Sequence, residues 1–178
     1  MATEPSALGT ITNVRSAEQF ARMQATVGQG ICPFCDPERY TDGKILREGD
    51  YWRVIHNDFP HKHHRYHILV VPIDHVTDIS EINAVMWTEL LTLFQWAVEE
   101  FQIPGGGLVM RFGDPAYNAG TVAHYHVNIQ VPDLTGPAKA TFTKDPSPEA
   151  VALRAAKIAG FADTSATVPI AKNTDGRV

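Results

Sequence analysis

The chain has 178 residues, 44% hydrophobic and 20% charged, a composition ordinary for a globular protein with length for one domain and some loose ends. Fifteen Lys and Arg against twenty Asp and Glu give a formal charge of −5, which excludes the broad basic surface of a dedicated nucleic-acid binder. No apolar run approaches the roughly 20 residues that span a bilayer, and the polar segment Met1–Arg15 lacks the apolar stretch of a secretory leader, so the expected location is the cytoplasm with no membrane partner.

Residues 1–14 carry no periodic signal and are expected to be loosely packed. Ser16 caps a helix running to about Thr26, with Glu18 in its first turn, and Gly28 and Gly30 stop it. Cys32-Pro33-Phe34-Cys35 follows, and Asp36-Pro37 turns the chain. Lys44–Arg47 and Tyr51–His56 read as a hairpin around Glu48-Gly49-Asp50. Tyr66–Val71 is an apolar strand closed by Pro72. Ser80–Phe101, free of Gly and Pro, is the main helix, capped by Ser80. Its apolar residues, Trp87, Leu91 and Val98 among them, span an arc of about 180°, wider than the ~100° stripe one sheet contact needs. Leu108–Phe112 and Val122–Val131 add two strands. A Pro-, Thr- and Lys-rich loop leads to a last helix, Ser147–Gly160, with Pro148 at its first position. From Asp163 onward there is no pattern.

Chemistry concentrates in the strand His124-Tyr125-His126-Val127-Asn128. Alternation places His124, His126 and Asn128 on one face, and two imidazoles with an amide make a poor core because each buried polar group needs a partner. The preceding turn, Asn118-Ala119-Gly120-Thr121, offers hydrogen-bond donors to an anion such as phosphate. The two cysteines stand in one Cys-x-x-Cys pair, a spacing that in a reducing compartment points to metal or redox chemistry rather than a structural disulfide.

These residues resemble the histidine-triad superfamily. Its signature is His-φ-His-φ-His-φ-φ, and His124 to Val131 matches it, except that Asn128 replaces the third histidine and Gln130 fills an apolar slot. Upstream, His67-Ile68-Leu69-Val70-Val71-Pro72-Ile73-Asp74-His75 resembles the family's H-x-L-V-x-P-x-x-H run, preceded by Asn57-Asp58-Phe59-Pro60. The likeness covers about residues 32–132. It implies an α+β domain at 15–133, with an antiparallel sheet of about five strands and a long packed helix, between a flexible 1–14 and a one-helix extension at 134–178.

The resemblance also implies the chemistry. His126 becomes the nucleophile toward the α-phosphate of a nucleotide, since a neutral imidazole attacks at pH 7 without a separate base once its second nitrogen is held as a donor. Asn57, Asp58, Phe59, His67, Gly120, Thr121 and Asn128 are the expected nucleotide contacts. Cys32, Cys35, His75 and His124 are the expected ligands of a structural zinc. Family hydrolases carry His where this chain has Asn128, and the nucleotidyltransferase branch carries Gln. An amide donates to a phosphate oxygen but exchanges no proton near neutral pH, so hydrolysis and transfer both stay open. A two-fold homodimer through the main helix, near Trp87 or Trp96, follows from the wide apolar arc and from family habit.

Two other classes compete: a nucleotide binder without turnover, and a thiol redox protein. Cys-Pro-Phe-Cys resembles a glutaredoxin site and Thr167-Val168-Pro169 its later Pro motif, but Asp36-Pro37 ill suits the helix that lowers the thiol pKa there. The run His61-Lys62-His63-His64-Arg65 reads as a solvated loop able to attract a second phosphate.

Overall fold

The computed structural model describes residues 8–41 and 43–165. Five strands, β1 (Ile45–Glu48), β2 (Trp52–His56), β3 (His64–Pro72), β4 (Gly107–Arg111) and β5 (His126–Pro132), form one sheet in the order β1-β2-β3-β5-β4. Every neighbouring pair is antiparallel. The helices are α1 (Ala17–Val27), α2 (Ala84–Glu100), α3 (Pro115–Asn118) and α4 (Pro148–Ser165). The architecture is the expected α+β one.

Period-two alternation sorts the sheet into two unlike faces. Val54, Ile68, Val70, Val127, Ile129 and Val131 point to α2, where they meet Met86, Leu90, Leu93 and Ala97. Trp52 anchors this layer, donating from Nε1 to the Met86 carbonyl at 2.9 Å. Ile55, Leu69 and Val71 point the other way and pack on Cys32 and Phe34. β3 is therefore covered on both sides, which is why its sequence reads as an unbroken apolar run.

The main helix starts later than its composition suggests. Asn83 caps it, its Oδ1 accepting from the Val85 and Met86 amides. Ser80 lies instead in a separate 3₁₀ turn, Ile79–Glu81, whose capping box pairs Asp78 with Glu81. Two successive caps make the local N–H groups satisfiable only with a break between them. Glu89 then ties α2 to the β1–β2 turn, accepting the Tyr51 and Trp52 amides at 3.1 Å. A Cβ on Gly49 would sit 2.1 Å from the Glu89 carboxylate, so a larger residue there would push Glu89 off these amides.

The chain ends pack more than their composition suggests. Leu8–Val14 bridges to the loop before β5 through Gly9 and Val122, and Val14 is buried. α4 lies on α1, where Phe161 and Ile158 meet the cluster of Val14, Phe20 and Met23. β3 begins at His64, so the last two of the five residues of the basic run expected to be loop are strand, and His64 is buried. The wide apolar arc of α2 is covered in large part by its own domain: Trp87, Phe94, Trp96 and Phe101 pack against the core. Val85, Leu91 and Val98 stay exposed. Residues 1–7 and 166–178, including the Thr167-Val168-Pro169 motif, lie outside the described residues. Among the described residues no helix is long and apolar enough to cross a membrane.

Candidate functional site

β5 begins at His126, so His124 stands just ahead of the strand rather than in it. Both residues are nevertheless buried on the side of the sheet away from α2, against Phe34, whose ring lies 5.7 Å from His124 and 5.4 Å from His126. The Tyr125 amide donates to the Val76 carbonyl at 2.6 Å, turning the Tyr125 side chain into the α2 core and the two histidines out of it.

His126 Nδ1 lies 2.7 Å from the His124 carbonyl. A carbonyl only accepts, so Nδ1 carries the proton and Nε2 keeps its lone pair. Burial pushes the His126 pKa down to about 4, with Arg111 and Arg39 adding to the effect against the His124 carbonyl. The ring is thus a neutral imidazole with a defined tautomer, the form in which a histidine is nucleophilic. Among the described residues Nε2 makes no hydrogen bond.

Cys32, Cys35, His75 and His124 converge, with one ligand atom from each lying within 4.8 Å of all the others. Cys32 Sγ is 3.4 Å from His124 Nδ1, Cys35 Sγ is 3.4 Å from His75 Nδ1, and Cys35 Sγ is 3.5 Å from His124 Nδ1. Tetrahedral zinc with Zn–S about 2.3 Å and Zn–N about 2.0 Å requires S···N edges of roughly 3.5 Å, so the four residues fit that ion. The outer contact fits too: His124 Nε2 lies 3.2 Å from the Pro72 carbonyl, which leaves Nδ1 as the ligating atom. Burial, with Cys32 beside it, pushes the Cys35 thiol up to about 12. That is opposite to the attacking thiol of a redox motif, and it is the environment a bound cation would neutralise.

Asn128 is fully engaged on one side and half engaged on the other. Its Oδ1 is 2.9 Å from His67 Nε2, and its Nδ2 donates to the Val109 carbonyl on β4 at 3.0 Å. His67 Nδ1 accepts the His61 amide at 3.1 Å, so its proton sits on Nε2 and points at Asn128. The amide expected to donate to a phosphate oxygen has one N–H left for that purpose.

His67 belongs to a cluster with His61 and His64, the His61 and His67 rings meeting edge to face with centroids 4.9 Å apart. Burial pushes His67 down to about 3, with His61, His64 and Arg15 adding to it. His61 falls to about 4, for burial first and Arg15 second. The folded values lie below the unfolded value of 6.5, so the unfolded chain binds more protons as pH drops. Stability is therefore expected to decline below pH 6.5 and to level off near pH 3. For His67 the loss between pH 7 and pH 5 is about 2 kcal/mol. Urea unfolding of wild type and His67→Gln at both pH values checks this: the variant should lose less on acidification, and equal losses refute it.

His126, Asn128, Asn57, Asp58, Phe59, Gly120 and Thr121 all line one cleft of about 960 Å³; His67 stands behind Asn128. The structure gives several of them specific tasks. Asp58 binds both Arg22 and, at 3.1 Å, Arg39. Asn57 closes a turn by accepting the Phe59 amide at 2.9 Å, and Arg22 stacks on the Phe59 ring. Gly120 is held by Asn118, whose Oδ1 accepts its amide at 2.7 Å, and by Asn13, which donates to its carbonyl at 2.7 Å. Gly120 offers its N–H to the turn, not to an anion. The Thr121 N–H makes no hydrogen bond among the described residues, and its hydroxyl accepts from Gln19 Nε2 at 3.5 Å.

Solved structures similar to this chain include histidine-triad proteins. A zinc-bound histidine triad family protein from Mycobacterium smegmatis is 24% identical at a TM-score of 0.43, covering 70% of this chain and 89% of its own. A hypothetical histidine triad nucleotide-binding protein from Sulfolobus tokodaii is 21% identical at 0.46, covering 75% and 93%. A diadenosine triphosphate hydrolase from Plasmodium falciparum, solved with cyclomarin A, is 13% identical at 0.45, covering 71% and 80%. No family model matches the sequence, and no curated protein does.

The residues that sequence motifs missed are basic. Arg15, Arg22, Arg39 and Arg111 line the cleft beside Lys62 of the basic run already read from the sequence, and Lys139, Lys144 and Lys157 of the extension reach back to it, with Asp58 the one carboxylate among its described lining residues. Only Arg111 had a visible signal, a charge in the otherwise apolar strand Leu108–Phe112.

Proposed function

We propose that this protein binds nucleotides and acts as a nucleotidyl hydrolase or transferase through a His126–nucleotide intermediate. The observation that carries the reading is the fixed tautomer of His126: a buried, neutral imidazole whose Nδ1–H is committed to its own backbone, on the wall of a basic cleft. Nε2 attacks the α-phosphorus, an N–P bond forms, and the P–O bond to the leaving group breaks with both electrons leaving on oxygen. Water or a phosphate-bearing acceptor then attacks phosphorus and releases His126. The Thr121 N–H and the remaining Asn128 N–H stabilise the charge that builds on the phosphate oxygens. Asn57, Asp58 and Phe59 form the wall for the nucleoside. In this reading Asp58 acts by holding Arg22 and Arg39 and not as a direct contact. His67 positions Asn128.

Zinc is the ion we propose for Cys32, Cys35, His75 and His124; bound there, it supplies a structural cross-link between the Cys-Pro-Phe-Cys turn, the end of β3 and the start of β5. Incubation with a nucleotide labelled at its α-phosphate tests the whole reading: an acid-labile, base-stable adduct on His126 supports it, and no adduct with any dinucleoside polyphosphate or nucleoside phosphoramidate overturns it in favour of a silent binder.

Asn128 bears on the acceptor. It shuttles no proton, so a leaving group that departs as a stable phosphate anion suits it best. Asn128→His is expected to raise hydrolysis relative to transfer to inorganic phosphate by several-fold, and Asn128→Gln to change the ratio little. Product partitioning in the three proteins measures this, and an unchanged ratio in the histidine variant removes the transferase reading's support.

We further propose a homodimer. The exposed apolar side chains Val85, Leu91 and Val98 of α2, with Leu108 on the free edge of β4, are what it would bury, with Trp87 or Trp96 near the contact. Sedimentation at micromolar concentration should give twice the chain mass, and a monomer refutes the proposal.

A further inference from the structure

Asn13 ends the 3₁₀ turn Ile11–Asn13, ahead of α1 and outside the segment that resembles the histidine-triad motifs. It is buried, and its Nδ2 donates to the Gly120 carbonyl at 2.7 Å across 107 positions of chain. The rest of this lead pairs with the same loop. Gly9 stands antiparallel to Val122, the Thr10 amide donates to the Thr121 carbonyl at 2.8 Å, and the Ala123 amide donates to the Leu8 carbonyl at 3.0 Å. Buried Val14 anchors the lead to Phe20 and Met23 of α1.

These contacts hold one peptide plane. In a trans peptide the C=O and the following N–H are coplanar and point in opposite directions. The Gly120 carbonyl is aimed at Asn13, so the Thr121 N–H is aimed away from it. That N–H has no acceptor among the described residues, and Thr121 lines the cleft that holds His126. The loop's own turn does not set this plane. Asn118 Oδ1 accepts the Gly120 amide at 2.7 Å, which fixes the peptide before Gly120 and leaves the one after it to the ψ of a glycine. A Cβ at Gly120 would lie 2.6 Å from that same Asn118 oxygen, so the turn needs glycine, whose backbone rotates at little cost. The Thr121 N–H would therefore swing unless contacts from outside the loop stopped it. Asn13 does so on the carbonyl of this plane, and Thr10 on the carbonyl of the next.

We infer that Asn13 is a positioning residue of the phosphate site: it holds the Gly120–Thr121 peptide so that the Thr121 N–H meets the phosphate oxygen on which charge builds. The inference rests on the nucleotidyl reading and adds to it a part supplied by the lead into α1. A donor fixed before reaction stabilises the developing charge without having to reorient, whereas a peptide free to rotate must be ordered at each turnover.

The isotope-labelled full chain is titrated with whichever of AMP, GMP, CMP and UMP binds most tightly, and the Thr121 amide proton is followed by NMR. In wild type it should move downfield, as an N–H does on gaining a charged acceptor. In Asn13→Asp, alike in shape but without the donor, most of that movement should be lost while the nucleotide still binds. A Thr121 amide that ignores the nucleotide in wild type overturns the inference, and so does a response unchanged in the variant. The kinetic half is the rate at which an α-labelled dinucleoside polyphosphate labels His126. In the variant this rate should fall by about tenfold or more beyond any loss of monophosphate affinity, because the donor matters most where charge builds. Equal losses of rate and affinity make Asn13 a structural contact and overturn its positioning role. Gly9→Ala repeats the test from the other anchor, and decides it should Asn13→Asp not fold. A Cβ at Gly9 lies 2.5 Å from the Thr121 carbonyl and forces the lead off the loop, so the same losses are expected and an unchanged response refutes the inference. A Thr121 response without any His126 adduct overturns the catalytic reading alone, an adduct with an indifferent Thr121 amide overturns this one alone, and binding of none of the four nucleotides overturns both.

Discussion

His126→Ala is expected to lower turnover by on the order of 10³-fold or more, and to abolish covalent labelling, while nucleotide affinity stays within about threefold. The asymmetry follows from what the ring does. Nε2 forms a bond only in the transition state and the intermediate, so its removal takes little from ground-state binding. The cleft's cations and the Thr121 loop, which hold the substrate in this reading, come from other segments and remain. Single-turnover kinetics with the labelled nucleotide, alongside equilibrium binding, measure both halves. Activity retained in the alanine variant refutes His126 as nucleophile. A parallel loss of affinity and turnover would instead make His126 a binding residue.

Cys32→Ser with Cys35→Ser is expected to release the metal and lower the melting temperature by about 10 °C. A ligand present at a thousand times its dissociation constant stabilises the fold by about 4 kcal/mol, and each kcal/mol moves the midpoint of a chain this size by roughly 2–4 °C. The loss should spread beyond the two thiols. The cluster joins the Cys-Pro-Phe-Cys turn to His75 after β3 and to His124 before β5, so its release frees the approach to His126. Metal analysis should give one zinc per chain in wild type and none in the variant, with chelator-treated wild type melting like the variant. Metal-free wild type whose melting the substitutions leave unchanged refutes the site. A thiol titration that finds both cysteines shielded until chelator is added argues against a redox pair as well.

What the sequence by itself determined is local. The apolar run of β3, period-two alternation in β5, the Ser16 cap and the uninterrupted α2 follow from backbone geometry over a few residues, so the α+β sheet-and-helix fold was legible without coordinates. The convergence of Cys32, Cys35, His75 and His124 was legible too, because each member sits in one of three short recognisable runs. The tertiary structure decided everything that depends on distant segments meeting. Nothing around Asn13 or Gln19 announces that they buttress Gly120 and Thr121, over a hundred positions away. Asp58 reads as a nucleotide contact until Arg22 and Arg39 are seen to occupy it. Asn128 reads as a free amide until β3 brings His67 to its oxygen and β4 brings the Val109 carbonyl to its nitrogen. The basic cleft is the extreme case: a chain whose net charge is negative gathers Arg15, Arg111 and Lys144 from three elements. Charge carries no sequence period, and only the packing of the extension and the lead into α1 around the sheet brings those cations together.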